Sequence, residues 1–190
     1  SLKKVFYSDD GSTAIEAALK MAFQFGRQRT VRRAAERNTR AACAPLQNRT
    51  SFLTLENAYH GDTVGAMSLG GIDAFHGAYR PLMFRTRKVM APYCYRCPFN
   101  RAKPERTDAR GYRKCNWECI SQVEQKLVAQ KNPQSAIRNP KFPVAAVIEP
   151  LIQGAAGMIA HPMGYLKKFA SLCRQQDVLL IADEVMTGFG

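Results

Sequence analysis

Residues 141–151 read KFPVAAVIEPL and residues 178–190 read VLLIADEVMTGFG. Both begin as short runs that are apolar on successive positions, so an extended chain would present apolar side chains on its two faces. Strands of that kind belong to a parallel sheet covered by helices on both sides. Between them GYLKKFASLCRQQ, residues 164–176, has helical spacing, and the unit reads strand, helix, strand. Moving outward, KKVFYS (3–8) reads as a strand and SFLTLENA (51–58) as another. The helix TAIEAALKMAFQFGRQ (13–28) carries Ile15, Leu19, Ala22 and Phe23 on one stripe. The expectation is an α/β fold, a mostly parallel sheet covered by helices. No internal repeat is present, residues 30–48 read as an insertion, and residues 92–119 as an irregular loop bearing cysteines.

A chain of 190 residues with 46% hydrophobic content can bury one substantial core. Its net charge of +13 would suit a polyanion, but the cationic residues crowd into residues 27–40 and 85–114 with no nucleic-acid module beside them. We read them as solvated basic surface and expect no nucleic-acid partner. The longest apolar window, residues 142–160, is interrupted by Glu149, Pro150 and Gln153, which argues against a membrane span. The opening SLKKVFYSDD lacks the order of a secretory signal, and a cytoplasmic protein is expected.

Ligands of an open parallel sheet bind beyond the carboxyl ends of its strands, and three stretches lie there. In SDDGSTAIEAALKMA, Gly11 permits a tight turn, and Ser12 and Thr13 put hydroxyls beside the unpaired N–H groups of a helix start, which suits a phosphate. Thr13 and Glu16 also match a capping box that needs no ligand, so both readings stand. In ENAYHGDTVGAMSLGG, Tyr59 offers a flat ring, His60 a donor and Asp62 a carboxylate; a hydrogen-bonded loop histidine is the plain alternative for His60. Asp183 ends a buried strand, where a carboxylate needs a cation or good hydrogen bonds. A protonated pyridine would be such a cation, and a pyridoxal cofactor requires an acidic partner of this kind. A metal is the other candidate, but no ligand set accompanies Asp183.

Taken in order, the glycine-serine turn, Tyr-His-Gly, EPLIQG and LLIADEVMTGFG resemble the class III, fold type I pyridoxal phosphate aminotransferases over nearly the whole chain. Asp62 and Met186 favour the branch acting in biotin biosynthesis. The resemblance implies that Gly11, Ser12 and Thr13 hold the cofactor phosphate and that Tyr59 stacks on the pyridine ring and borders the substrate. His60 and Gly61 would shape that wall, with Asp62 near the substrate's amino end. Asp183 would pair with the pyridinium nitrogen, Val185 would pack on the opposite ring face, and Glu149 would join the polar network beside the cofactor. It further implies pyridoxal 5'-phosphate as cofactor, S-adenosylmethionine as amino donor, 8-amino-7-oxononanoate as acceptor, and a homodimer. Another class III aminotransferase, using an ω-amine or ornithine-like donor, and a non-catalytic basic binding paralogue are the alternatives.

In the family a Schiff-base lysine lies on a strand after the Asp183 strand, and no lysine follows Asp183 here. The catalytic lysine is therefore expected beyond Gly190. The 190 residues read as an internal part of the large cofactor-binding domain, inactive alone, without the N-terminal segment and the small domain. Cys94, Cys97, Cys115 and Cys119 have a loosely zinc-like spacing; free thiols and no metal are expected.

Overall fold

The computed structural model describes residues 3–36, 49–102, 113–127 and 142–188. A four-stranded parallel sheet forms from β1 (Arg49–Leu55), β2 (Arg87–Val89), β3 (Phe142–Ile148) and β6 (Leu179–Ala182), in the order β2-β1-β3-β6. Every neighbouring pair is parallel, with Leu53 opposite Arg87, Phe52 opposite Ala145 and Ala146 opposite Leu180. A two-stranded antiparallel hairpin, β4 (Ile152–Gln153) and β5 (Ile159–Ala160), follows β3.

Helices cover both faces. On one, α1 (Gly11–Glu36) and α2 (Val64–Leu69) bury Ile15, Leu19, Ala22, Ala66 and Leu69 against Phe52, Val144, Ala145 and Val147. On the other, α4 (Glu118–Leu127) and α5 (Tyr165–Gln175) bury Val123, Leu127, Tyr165 and Phe169 against Leu53, Leu55, Ala146 and Ile148. Tyr165 and Phe169 are fully buried, Phe169 contributing about 2 kcal/mol from apolar burial, while the buried Tyr165 hydroxyl has no hydrogen-bond partner, which offsets part of its own gain. The remaining short helix, α3 (Asp73–His76), runs into a 3-10 turn over Gly77–Leu82.

The strands expected over 51–58, 141–151 and 177–185 correspond to β1, β3 and β6, which are shorter and end before Glu56, Glu149 and Asp183, and the helix expected over 164–176 is α5. Residues 3–8 form no strand: they lie exposed, with Val5, Phe6 and Tyr7 all in solvent. Extended chain becomes a strand only where a partner satisfies its N–H and C=O groups, and none of the described strands pairs there. Helix α1 continues through Glu36, so residues 30–36 of the expected insertion prolong it; residues 37–48 lie outside the described residues. The cysteine-bearing loop contains a 3-10 turn at Cys94–Arg96 and leads into α4. Among the described residues no helix is long and apolar enough to cross a membrane.

Candidate active site

Because all four strands run the same way, the segments leaving β1, β3 and β6 emerge at one edge of the sheet. Tyr59 to Asp62 follow β1, Glu149 follows β3 and Asp183 follows β6, whose N–H extends the ladder to the Ile148 carbonyl at 2.8 Å. His60 Nδ1 lies 2.8 Å from Asp183 Oδ2, and the two side chains are 0% and 7% exposed. Asp183 Oδ1 accepts the Val185 N–H at 3.2 Å, so both oxygens of this carboxylate are engaged. Beside it Glu149 accepts the N–H of Tyr59 at 3.0 Å and of Gly154 at 3.1 Å. Burial pushes the Glu149 carboxyl above its usual range, partly offset by those N–H groups and by His60. His60 Nε2 is buried and unpaired.

The start of α1 closes on the same place. A Cβ on Gly11 would come within 2.7 Å of a Val185 methyl. One on Gly61, whose φ of +118° already favours glycine, would fall on the Ser12 hydroxyl. The three motifs thus meet pairwise: His60 with Asp183, Gly61 with Ser12, Gly11 with Val185.

The helix cap differs from the expected Thr13–Glu16 box. Asp10 Oδ1 accepts the Thr13 N–H at 2.8 Å and Thr13 Oγ1 accepts the Asp10 N–H at 3.1 Å, which is the reciprocal box one turn earlier. Glu16 instead accepts the N–H of Gly65 and ties α1 to α2. Thr13 is thereby committed to the cap. The N–H groups of Gly11 and Ser12, which have no carbonyl one turn back, remain the helix's donors for an anion.

At the mouth, the Tyr59 hydroxyl donates to Asp62 Oδ2 at 2.9 Å, and His76 Nε2 lies 3.1 Å from Asp62 Oδ1. The rings of Tyr59 and His76 are stacked, 5.7 Å apart and 11° from parallel. The hydrogen bond from His76, then that from Tyr59, holds the Asp62 carboxyl below its usual range; the Tyr59 phenol moves up, chiefly through the same bond to Asp62. Sequence reading missed His76. The signal available was a histidine shortly after the glycine pair Gly70–Gly71, and only the fold shows that it turns back to Asp62.

Two other regions carry less. A groove of about 740 Å³ lies along α1, lined in part by Leu19, Phe23, Phe52 and Phe84; it contains neither the buried carboxylates nor the histidines. Cys94, Cys97, Cys115 and Cys119 are free thiols, with Cys94 pushed up to about 11 and Cys119 to about 12, chiefly by burial. Among the described residues no three histidine, cysteine or acidic side chains are placed to hold a metal ion.

The family model for class III aminotransferases matches residues 1–190. The chain belongs to the class III aminotransferases. Relatives within that family include the adenosylmethionine-8-amino-7-oxononanoate aminotransferases of Geobacter sulfurreducens, 44% identical over 189 residues, and Nitratidesulfovibrio vulgaris, 43% identical. Both alignments cover all of this class III chain, but only 35% and 29% of those proteins. The crystal structure of the enzyme of that name from Methanocaldococcus jannaschii superposes with a TM-score of 0.63 at 33% identity, over 97% of this chain and 32% of that one. An amine transaminase from an uncultivated Pseudomonas species, in its PLP-bound form, gives 0.66 at 33% identity, over 96% and 34%. This class III chain thus spans about a third of the length of the relatives it matches.

Proposed function

We propose that the whole protein to which these residues belong is a pyridoxal phosphate aminotransferase that passes an amino group from S-adenosylmethionine to 8-amino-7-oxononanoate, giving 7,8-diaminononanoate in biotin biosynthesis. The observation that carries this reading is the meeting of Asp183, held by His60, with the α1 N-terminus and the Tyr59 loop. The relatives' names supply the substrates. Bound pyridoxal phosphate supplies a ring that withdraws electrons from a substrate carbon losing its proton. The residues present fit that group. The N–H groups of Gly11 and Ser12 and the Ser12 hydroxyl would hold the cofactor's phosphate at a helix N-terminus, with Thr13 fixing that turn from within. Asp183 would pair with the pyridine nitrogen and favour its protonated form, and His60 would hold the carboxylate in place. Tyr59 has one face backed by His76, leaving the other for a flat ring, and Val185, 74% exposed, supplies an apolar contact. Glu149 fixes the backbone of Tyr59, and Asp62 faces the amino end of the substrate.

The lysine that moves the proton at the substrate carbon we place outside these 190 residues, so that they do not transaminate alone. The whole protein we take to be a cytoplasmic homodimer. The test is borohydride reduction of the purified whole protein followed by peptide mapping. A phosphopyridoxyl lysine beyond Gly190 and amino transfer from S-adenosylmethionine are expected; an unlabelled protein refutes the proposal. A second reading, an ω-amine donor, is favoured by the likeness to the amine transaminase. A donor panel in which S-adenosylmethionine fails and a simple amine succeeds would select it.

A further inference from the structure

We propose that His76 is a positioning residue: by holding Asp62 and backing Tyr59, it makes the mouth of the site a fixed anionic station for a cationic group of the substrate. The proposal rests on reading this edge of the sheet as the substrate pocket. The Asp62 side chain is 71% exposed, and an aspartate so placed ordinarily samples several rotamers. Here each oxygen has its own partner, Tyr59 Oη at 2.9 Å and His76 Nε2 at 3.1 Å. The His76 side chain is only 4% exposed, so the exposed acid is anchored to a buried group.

The same imidazole sets the plane of Tyr59 through the 11° stack, and Phe75 meets that phenol ring edge-on at 5.7 Å. Space for the imidazole depends on Gly70, where a Cβ would lie 2.6 Å from His76 Nδ1. Nδ1 is buried and has no hydrogen-bond partner. An ionised carboxylate is acceptor-only, so the imidazole donates to it through Nε2, and the histidine orients Asp62 while the carboxylate itself stays open to solvent. A substrate ammonium or sulfonium group is its chemical complement.

The experiment compares the whole wild-type protein with His76→Phe, which keeps a ring but loses the hydrogen bond, and His76→Gln, which keeps a donor but loses the ring. The first readout is the 13C titration of the Asp62 carboxyl in cofactor-free protein. It is expected to move up toward the ordinary carboxylate range in His76→Phe and to stay near wild type in His76→Gln. The second is the ratio of kcat/KM for 8-amino-7-oxononanoate to that for the same acceptor lacking its 8-amino group. His76→Phe is expected to lower that ratio about tenfold, mainly through KM, with His76→Gln largely restoring it. A folded His76→Phe protein with unchanged titration or unchanged discrimination overturns the proposal. Should His76→Phe not fold, His76→Gln decides alone, and an Asp62 titration in the ordinary range overturns it. Wild-type protein that takes up no pyridoxal phosphate and transfers no amino group would sink the proposed function, while the carboxyl titration would still decide the role of His76.

Discussion

Asp183 and Asp62 lie at the same edge of the sheet, each bound to a histidine, yet they solve opposite problems. Asp183 is nearly buried, and His60 together with the Val185 N–H compensates a charge that little water reaches. Asp62 is mostly in water, and His76 and Tyr59 restrict where its charge points. On the proposed function, the floor of the site serves stability as well as chemistry, and the mouth serves recognition. Asp183→Ala gives the largest expected effect: amino transfer in the whole protein falls about 10³-fold, and the orphaned His60 costs about 2 kcal/mol in thermal unfolding. A near-wild-type rate would break the contrast at its root.

Gly61→Ala should come next. It forces a Cβ onto the Ser12 hydroxyl at a left-handed φ, costing about 2 kcal/mol and weakening cofactor phosphate binding, measurable by titration with pyridoxal phosphate. Asp62→Asn sharpens the other side: stability changes by less than about 0.5 kcal/mol, while KM for the cationic acceptor rises. Equal stability losses for Asp62→Asn and Asp183→Ala would erase the distinction.

The smallest effect is a pair of pH slopes of opposite sign. The Asp62 carboxyl is depressed by His76 and Tyr59, so its contribution is present above the unfolded value of about 3.9 and is lost as pH falls through the folded one. The Glu149 carboxyl is raised by burial. Its contribution is present below the unfolded value of about 4.3 and is lost as pH rises through the folded one. Melting curves of Asp62→Asn and Glu149→Gln across acid pH should diverge from wild type in opposite directions.

The sequence displayed the parts of this molecule whose meaning is local. Of the expected stripe, Ile15, Leu19 and Ala22 are buried while Phe23 is only partly so, and the apolar run of β3 lies in the sheet's interior. Asp183 stood out because a carboxylate ending an apolar strand must be accounted for. What stayed hidden depends on partners distant in the chain. β2 has only three residues, Arg-Lys-Val, too few to show a period. Cys119, Val123 and Leu127 recur at helical spacing and are buried in α4, but the expected irregular loop, residues 92–119, takes in only its first two residues, and no element is expected over the rest. Glu16 looked like a cap residue because its bond to Gly65 has no local signature, and His76 acquires a role only when α3 folds back over the Tyr59 loop.

The strand order has a consequence in time. β1 sits between β2 and β3, yet β3 is synthesised only after α4 and the long stretch around it. As the chain is made, β1 can pair with the three-residue β2 before its other partner among the described strands, Phe142–Ile148, appears. Parallel pairings across such separations are slow to form, because loop closure precedes the contacts that reward it. During that interval Ser51, Phe52 and Leu53 have no β3 residues to pair with. A nascent chain halted before β3 should recruit holdase chaperones, and one extended past β6 should release them.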